Sequence, residues 1–305
     1  MSLSIRRFAK LLADTAWLRR YRARRAADVP LRIRFAFVRD GIRKLAHREW
    51  KPSYILRGDD DAFLTYVPTP VDLMAGKNLL KPRALPLLLK TLLSSGGTFI
   101  DVGANIGDWT LPAAKLVGPT GRVLAFEPVQ RMAGALRKSA WANRFDQIRV
   151  FDVALSNHAG EADFSVENEN SGGSRLGRMP DDPGRTFSGH RVRVTTLDDV
   201  VGAEGLKAID LIKIDVEGFE AEVLQGAARS IAELRPALYF EVGHEPPEKR
   251  RIIGDLLAGS GYELVGIVWP DGVVAADMED YVCGRGLFQG LRVANLFALP
   301  AAPRN

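Results

Sequence analysis

A single cysteine, Cys283, in 305 residues excludes an intramolecular disulfide and any zinc site built on thiolates. A reducing compartment fits that usage, and the expected location is cytoplasmic. No apolar run approaches the roughly 20 residues needed to span a bilayer. The opening "MSLSIRRFAKLLADTAWL" carries positive charge but lacks a long apolar core and a small-residue cleavage site, so no secretory signal is expected. Two phosphate-binding signatures are also missing. No lysine follows a Gly-x-x-x-x-Gly, and the one promising Gly-x-x-x-Gly carries an asparagine where a dinucleotide fingerprint needs its middle glycine. No repeat at solenoid or propeller periods is present.

What charge there is lies unevenly. Residues 1–48 hold 14 Lys/Arg against 3 Asp/Glu, a net of +11, which leaves −6 for residues 49–305 out of the chain's formal +5. The basic character therefore belongs to the N-terminal segment. Residues 3–26 read as a basic amphipathic helix, with Leu3, Phe8, Leu11, Leu12 and Trp17 among arginines. It reads as a helical cap on the domain, or as a peripheral contact with an anionic membrane at its inner face. Its aromatics are not interleaved as a nucleic-acid stacking platform requires, so no nucleic-acid partner is expected.

From residue 95 onward apolar runs alternate with amphipathic helical stretches. "TFIDVG", "RVLAFEP", "IRVFDVAL", "IDLIKIDVEG", "PALYFEVG" and "YELVGIVW" read as strands, and "VANLFALP" as the last strand. Helices are expected over 82–95, 107–117 and 129–143, across "EAEVLQGAARSIAEL" and across "PEKRRIIGDLLAGSG". This pattern predicts an α/β fold, a doubly wound and mostly parallel sheet covered on both faces. Between the third and fourth parallel strands, "EADFSV" and "HRVRVTTL" are expected to pair as a β-hairpin insertion around a polar loop. Short strands "SYILRG" and "AFLTYVP" precede the domain. The expected division is an N-terminal helical and mixed extension over 1–80, a cofactor-binding domain over 81–300 and a disordered tail over 301–305.

Right-handed crossovers put the strand C-termini on one edge, where ligands bind. The stretch "FIDVGANIGDWT" ends the first of these strands. Gly103 and Gly107 allow close approach to the main chain, Asn105 tolerates a left-handed turn, and the helix start offers N–H groups to an anion. Asp101 can accept hydrogen bonds from an ammonium. A ligand with both an amine and a carboxylate fits better than a pyrophosphate, and the amino-acid end of S-adenosylmethionine has both. Glu127, 26 positions on in "AFEP", stands where an acid grips a ribose diol, or where it caps the next helix. Asp152 can reach the exocyclic amine of an adenine, with the Val153 backbone near the ring nitrogen and Phe126 or Val153 against its face.

"FIDVGANIGDWT", "AFEP", "VALSNHAGEADF", "LDDV" and "DLIKIDVEGFEAEVLQGA", in this order and spacing, resemble the FkbM-type methyltransferases over roughly residues 95–245. The resemblance implies a class I, S-adenosylmethionine-dependent enzyme with a seven-stranded sheet whose last strand is antiparallel. It also implies O-methylation of a sugar hydroxyl or a related small molecule, with S-adenosylhomocysteine as product. The cofactor site implied is Asp101, Gly103, Asn105, Gly107, Glu127 and Asp152.

The signature "KIDVEG" then places Asp215 beside the methyl sulfonium, with Glu241 and His244 from "FEVGH" nearby. An alcohol must lose its proton as it is methylated. His244 or Asp215 can take it, or Asp215 with Glu241 can hold a divalent cation that acidifies it. Base catalysis without a metal is the expectation. Asp215 reads alternatively as a helix cap, and His244 as a loop residue. Ser174 and Arg175, in the insertion loop, and Glu217 are the expected acceptor contacts. Lys213 must be paired inside its apolar strand, and Trp109 is expected to pack under the sheet. The rival enzyme is an NAD-dependent oxidoreductase, which Glu127 permits and the missing glycine opposes. A non-catalytic scaffold that keeps the fold is a third reading.

Overall fold

Strict alternation along the central strand β3 (Thr98–Val102) organises the molecule: Phe99 and Asp101 face one side of the sheet, Ile100 and Val102 the other. The structure is a computed structural model, and it describes residues 53–56, 64–68, 84–168, 171–180, 185–243, 245–269, 272–291 and 293–301. The basic segment 3–26, His244 and the last four residues of the expected tail lie outside the described residues.

Two strands precede the domain. β1 (Ser53–Leu56) and β2 (Leu64–Val67) pair antiparallel, and β2 lies against a later helix. Helix α1 (Ala84–Leu92) then leads into β3. Helix α2 (Thr110–Val117), β4 (Arg122–Phe126), α3 (Gln130–Asn143) and β5 (Ile148–Phe151) complete one half of the sheet, with β3, β4 and β5 parallel. The Asn143 amide brackets the Leu64 backbone, receiving its N–H at 2.7 Å and donating to its carbonyl at 2.6 Å. Ser139 accepts the Tyr66 N–H at 2.7 Å. Polar side chains of α3 thus sew β2 to the domain.

The expected strand "IRVFDVAL" divides at Asp152–Val153. Its second part, β6 (Ala154–Leu155), leaves the main sheet and pairs parallel with a strand of the insertion. The insertion is the expected hairpin, β7 (Gly160–Glu167) and β9 (Phe187–Thr195), enlarged by β6 and by the two-residue β8 (Arg175–Leu176) into a four-stranded sheet ordered β6-β9-β7-β8. Helix α4 (Leu197–Glu204), capped by Thr196, leads to β10 (Leu211–Ile214). The expected helix after "VEG" is two, α5 (Glu220–Gln225) and α6 (Ala228–Leu234). The turn at Gly226 hands its carbonyl to the Asp198 N–H at 2.9 Å rather than to a continuing helix.

β11 (Ala237–Val242), α7 (Pro247–Gly259), β12 (Tyr262–Trp269), β13 (Gly272–Ala275), α8 (Met278–Cys283) and β14 (Ala294–Pro300) finish the chain. The main sheet runs β13-β12-β14-β11-β10-β3-β4-β5. The seven expected strands are all there, and β14 inserts antiparallel between β11 and β12. The short β13 adds an eighth at the edge, hairpin-paired to β12. One apolar layer packs Ile100, Leu124, Ile212 and Phe240 under α7 and its neighbours. The opposite layer packs Phe99, Val123 and Leu211 under α1 and α2. Trp109 belongs to that second layer, as expected, with its ring 4.4 Å from that of Tyr239. Among the described residues no helix is long and apolar enough to cross a membrane.

Candidate active site at the strand tips

The C-terminal tips of β3, β4, β10 and β11 gather most of the residues singled out from the sequence. The turn after β3 is built on left-handed residues: Gly103 at φ +78°, Asn105 at +47° and Gly107 at +92°. Gly103 is required by the chain itself, because a Cβ there would stand 1.9 Å from the carbonyl oxygen of Asp215. A Cβ on Gly107 would press on the Leu136 side chain. These glycines let neighbouring parts of the protein close on the turn.

Asp101 is 0% exposed and turned inward. It accepts the Thr110 hydroxyl at 2.5 Å and lies 3.2 Å from the Lys213 ammonium. The ammonium that Asp101 was expected to meet is thus supplied by the protein, and Asp101 shapes the turn from behind. Lys213 is paired with a carboxylate, as its place in an apolar strand requires.

Glu127 caps the next helix, one of the two roles its position suggests, and also holds the β3 turn. Its Oε1 accepts the Val129 N–H at the start of α3, and its Oε2 accepts the Asn105 N–H, each at 2.9 Å. Burial pushes its carboxyl up to about 7, against the pull of those two amides and of Lys213. A carboxylate oxygen with one amide still has a lone pair to offer, so Glu127 braces the β3 turn and keeps acceptors for a diol. Asp152 forms a two-point pair with Arg137, at 2.7 and 3.1 Å. Phe126 is 1% exposed and stacks on Phe151 at 4.9 Å, so it cannot flank an adenine. Val153 is half-buried against the same core.

At the tips of β10 and β11, Asp215, Glu217 and Glu241 bring one carboxylate oxygen each to within 4.8 Å of one another. That spacing suits either a shared proton or a divalent cation, and among the described residues it gathers three acids in one group. Burial, then Asp215, pushes Glu217 up to about 7. Burial, then Asp215 and Glu217, pushes Glu241 up to about 9. Glu217 is held at φ +57°, a conformation that costs a side chain about 1–2 kcal/mol. Arg175, on β8, and Arg185 pull the Glu217 carboxyl down. Ser174 instead accepts the Glu167 N–H at 3.1 Å, tying the insertion to itself.

Two contributors were not singled out from the sequence. Glu220 is buried and turns back over the loop, accepting from the Val216 N–H at 3.0 Å and the Gly218 N–H at 3.0 and 3.2 Å. Lys249 reaches across from α7 to the Gly218 carbonyl at 2.9 Å. The signal for Glu220 was an acid in the first turn of a helix, a common feature that does not announce which amides it will hold.

The donor set fits an adenosine: an acid with spare lone pairs at the β4 tip, flanked by the left-handed turn after β3 on one side and the polar and apolar pair at 152–153 after β5 on the other. Residues 101–282 match the family model described as the methyltransferase FkbM domain. The 2-O-methyltransferase NoeI of Sinorhizobium fredii is 30% identical over 181 residues, covering 54% of this chain and 72% of its own length. The 31-O-demethyl-FK506 methyltransferase FkbM of Streptomyces tacrolimicus is 34% identical over 163 residues, 44% of this chain and 60% of its own. The AMB antimetabolite synthetase AmbE of Pseudomonas aeruginosa is 29% identical over 214 residues, 57% of this chain, which spans 10% of that protein.

Proposed function

Because the chain belongs to the FkbM methyltransferase family, whose cofactor is S-adenosylmethionine, we propose that it methylates a hydroxyl of a sugar, a glycan or a related small molecule. An acid in the loop after β10 takes the hydroxyl's proton. The observation that carries this reading is the convergence of Asp215, Glu217 and Glu241 beside the β3 turn, with the Asp215 carbonyl resting on Gly103. Two relatives whose names specify an oxygen acceptor support the same reading.

Bound S-adenosylmethionine supplies a methyl group already activated on a positively charged sulfur. The protein's work is alignment and proton removal. Glu127 holds the ribose diol through its spare lone pairs, and Asp152 with Val153 frames the adenine. Asp215, 39% exposed, faces the space where an acceptor enters. Glu217, at about 7, can take a proton near neutral pH and give it up again. Glu241, at about 9, already holds its proton at neutral pH and serves as a hydrogen-bond donor rather than as the base. Arg175 contributes positive charge beside Glu217 from the insertion.

The test is to incubate the protein with S-adenosylmethionine and a panel of sugars and glycans, and to read one added methyl by mass spectrometry, with and without EDTA. Transfer to a hydroxyl that survives EDTA is the expected result. Transfer to nitrogen or carbon refutes the acceptor class. Activity lost to EDTA and restored by a divalent cation makes the three acids metal ligands and overturns the base role.

A further inference from the structure

Lys213 is 1% exposed at the middle of the sheet, in register with Asp101 on β3 and Tyr239 on β11. A buried ammonium is tolerated only when its hydrogen bonds and its charge are both answered. Its three protons have three near oxygens: the Gly103 carbonyl at 2.9 Å, the Val102 carbonyl at 3.2 Å and Asp101 Oδ1 at 3.2 Å. All three belong to the end of β3 or to the turn that follows it and shapes the cofactor site. A fourth oxygen, Asp215 Oδ2 at 3.6 Å, belongs to the acid group that faces the acceptor. Burial pulls the ammonium down, but Asp101, Asp215 and Asp108 together hold it above the ordinary lysine range, so it stays charged.

We propose that Lys213 is a positioning residue that sets the Asp215 carboxylate from the cofactor turn, so that one buried cation aligns the two halves of the site. The inference rests on the reading of Asp215 as the neighbour of the sulfonium. The Asp215 backbone is already pinned, with its N–H on the Val102 carbonyl at 3.1 Å and its own carbonyl against Gly103. The side chain is half-exposed, and the cation it pairs with is Lys213. Without that cation, the carboxylate swings toward solvent and away from the sheet.

The test uses two probes, S-adenosylmethionine and S-adenosylhomocysteine, which differ in the positive charge on sulfur, and calorimetric titration of each. Lys213→Met alone strands Asp101 as an unpaired buried charge and is expected to unfold. The working variant is therefore Lys213→Met with Asp101→Asn, which removes both charges together and leaves the net charge unchanged. Asp215→Asn is then made in the wild type and in that background.

In the wild type, Asp215→Asn is expected to weaken S-adenosylmethionine relative to S-adenosylhomocysteine by about tenfold, the loss of one partly screened attraction. In the paired variant the same change is expected to alter the ratio by less than about twofold. An equal effect in both backgrounds overturns the proposal. So does loss of fold in the paired variant while Asp101→Asn alone folds, since that makes Lys213 a purely structural cation. Failure of the cofactor assignment looks different, because the unmodified protein then binds neither probe.

Discussion

The backbone of Gly103 rests on the carbonyl oxygen of Asp215, and no side chain separates the tip of β3 from the tip of β10. The turn after β3 and the acid group of Asp215, Glu217 and Glu241 therefore share one contact. Gly103→Ala places a Cβ into that contact and forces alanine to φ +78°. The conformation alone costs about 1–2 kcal/mol, and the displaced Asp215 adds to it. The expected outcome is a lower Tm and loss of S-adenosylhomocysteine binding by calorimetric titration. A folded Gly103→Ala protein with wild-type affinity would show that the tips need not touch.

Glu220 should matter more than its ordinary position suggests. Glu220→Ala leaves the Val216 and Gly218 N–H groups without their acceptor, each worth about 1–3 kcal/mol when buried. Faster amide exchange at residues 216–218 and a reduced denaturation midpoint are expected. Unchanged exchange at these amides counts against the bracing role.

Glu241 makes the stability of the protein depend on pH in a definite direction. Its carboxyl is raised from 4.5 to about 9, so between those values the folded state holds a proton that the unfolded chain has released. Stability contributed by this group therefore falls as pH rises through that window. Glu241→Gln removes the dependence. The variant is expected to match the wild type near pH 4 and to gain Tm relative to it progressively up to about pH 9. A gap that shrinks with rising pH contradicts the assignment.

Glu217 should set the pH dependence of the reaction. If its carboxylate is the base, the rate rises with pH through about 7. Glu217→Gln is expected to lower kcat on the order of 10²- to 10⁴-fold and to remove that rising limb. A variant that keeps the limb moves the base elsewhere, with His244 as the first alternative.

Much of the architecture is legible in the sequence because it rests on periodicity. Apolar strands of five or so residues alternating with amphipathic helices leave little choice but a covered parallel sheet. The acids at strand ends are legible for the same reason, since Asp101, Glu127, Asp152 and Asp215 each terminate an apolar run. What escapes depends on neighbours far away in the sequence. Asp101 and Lys213 read as separate features, and only the register of β3 with β10 makes them partners. Gly103 reads as room for a ligand, whereas its neighbour is a carbonyl more than a hundred residues later. The run 148–155 looks like one strand because its hydrophobicity is continuous. It divides because β6 finds a partner in β9. Nothing in the sequence excludes Phe126 from the ligand; its stacking on Phe151 does.

The division at Asp152–Val153 bears on how such an enzyme can be re-engineered. β6 is a strand of the insertion sheet, so Asp152 and Val153 form the seam between scaffold and insertion. A graft of another relative's insertion cannot begin at the β7 hairpin. It has to run from the seam to Thr196, and it will carry the donor's own β6 with it. Chimeras cut at Gly160 would leave β9 facing a foreign edge, while cuts at 153 and 196 exchange the insertion with its anchor intact.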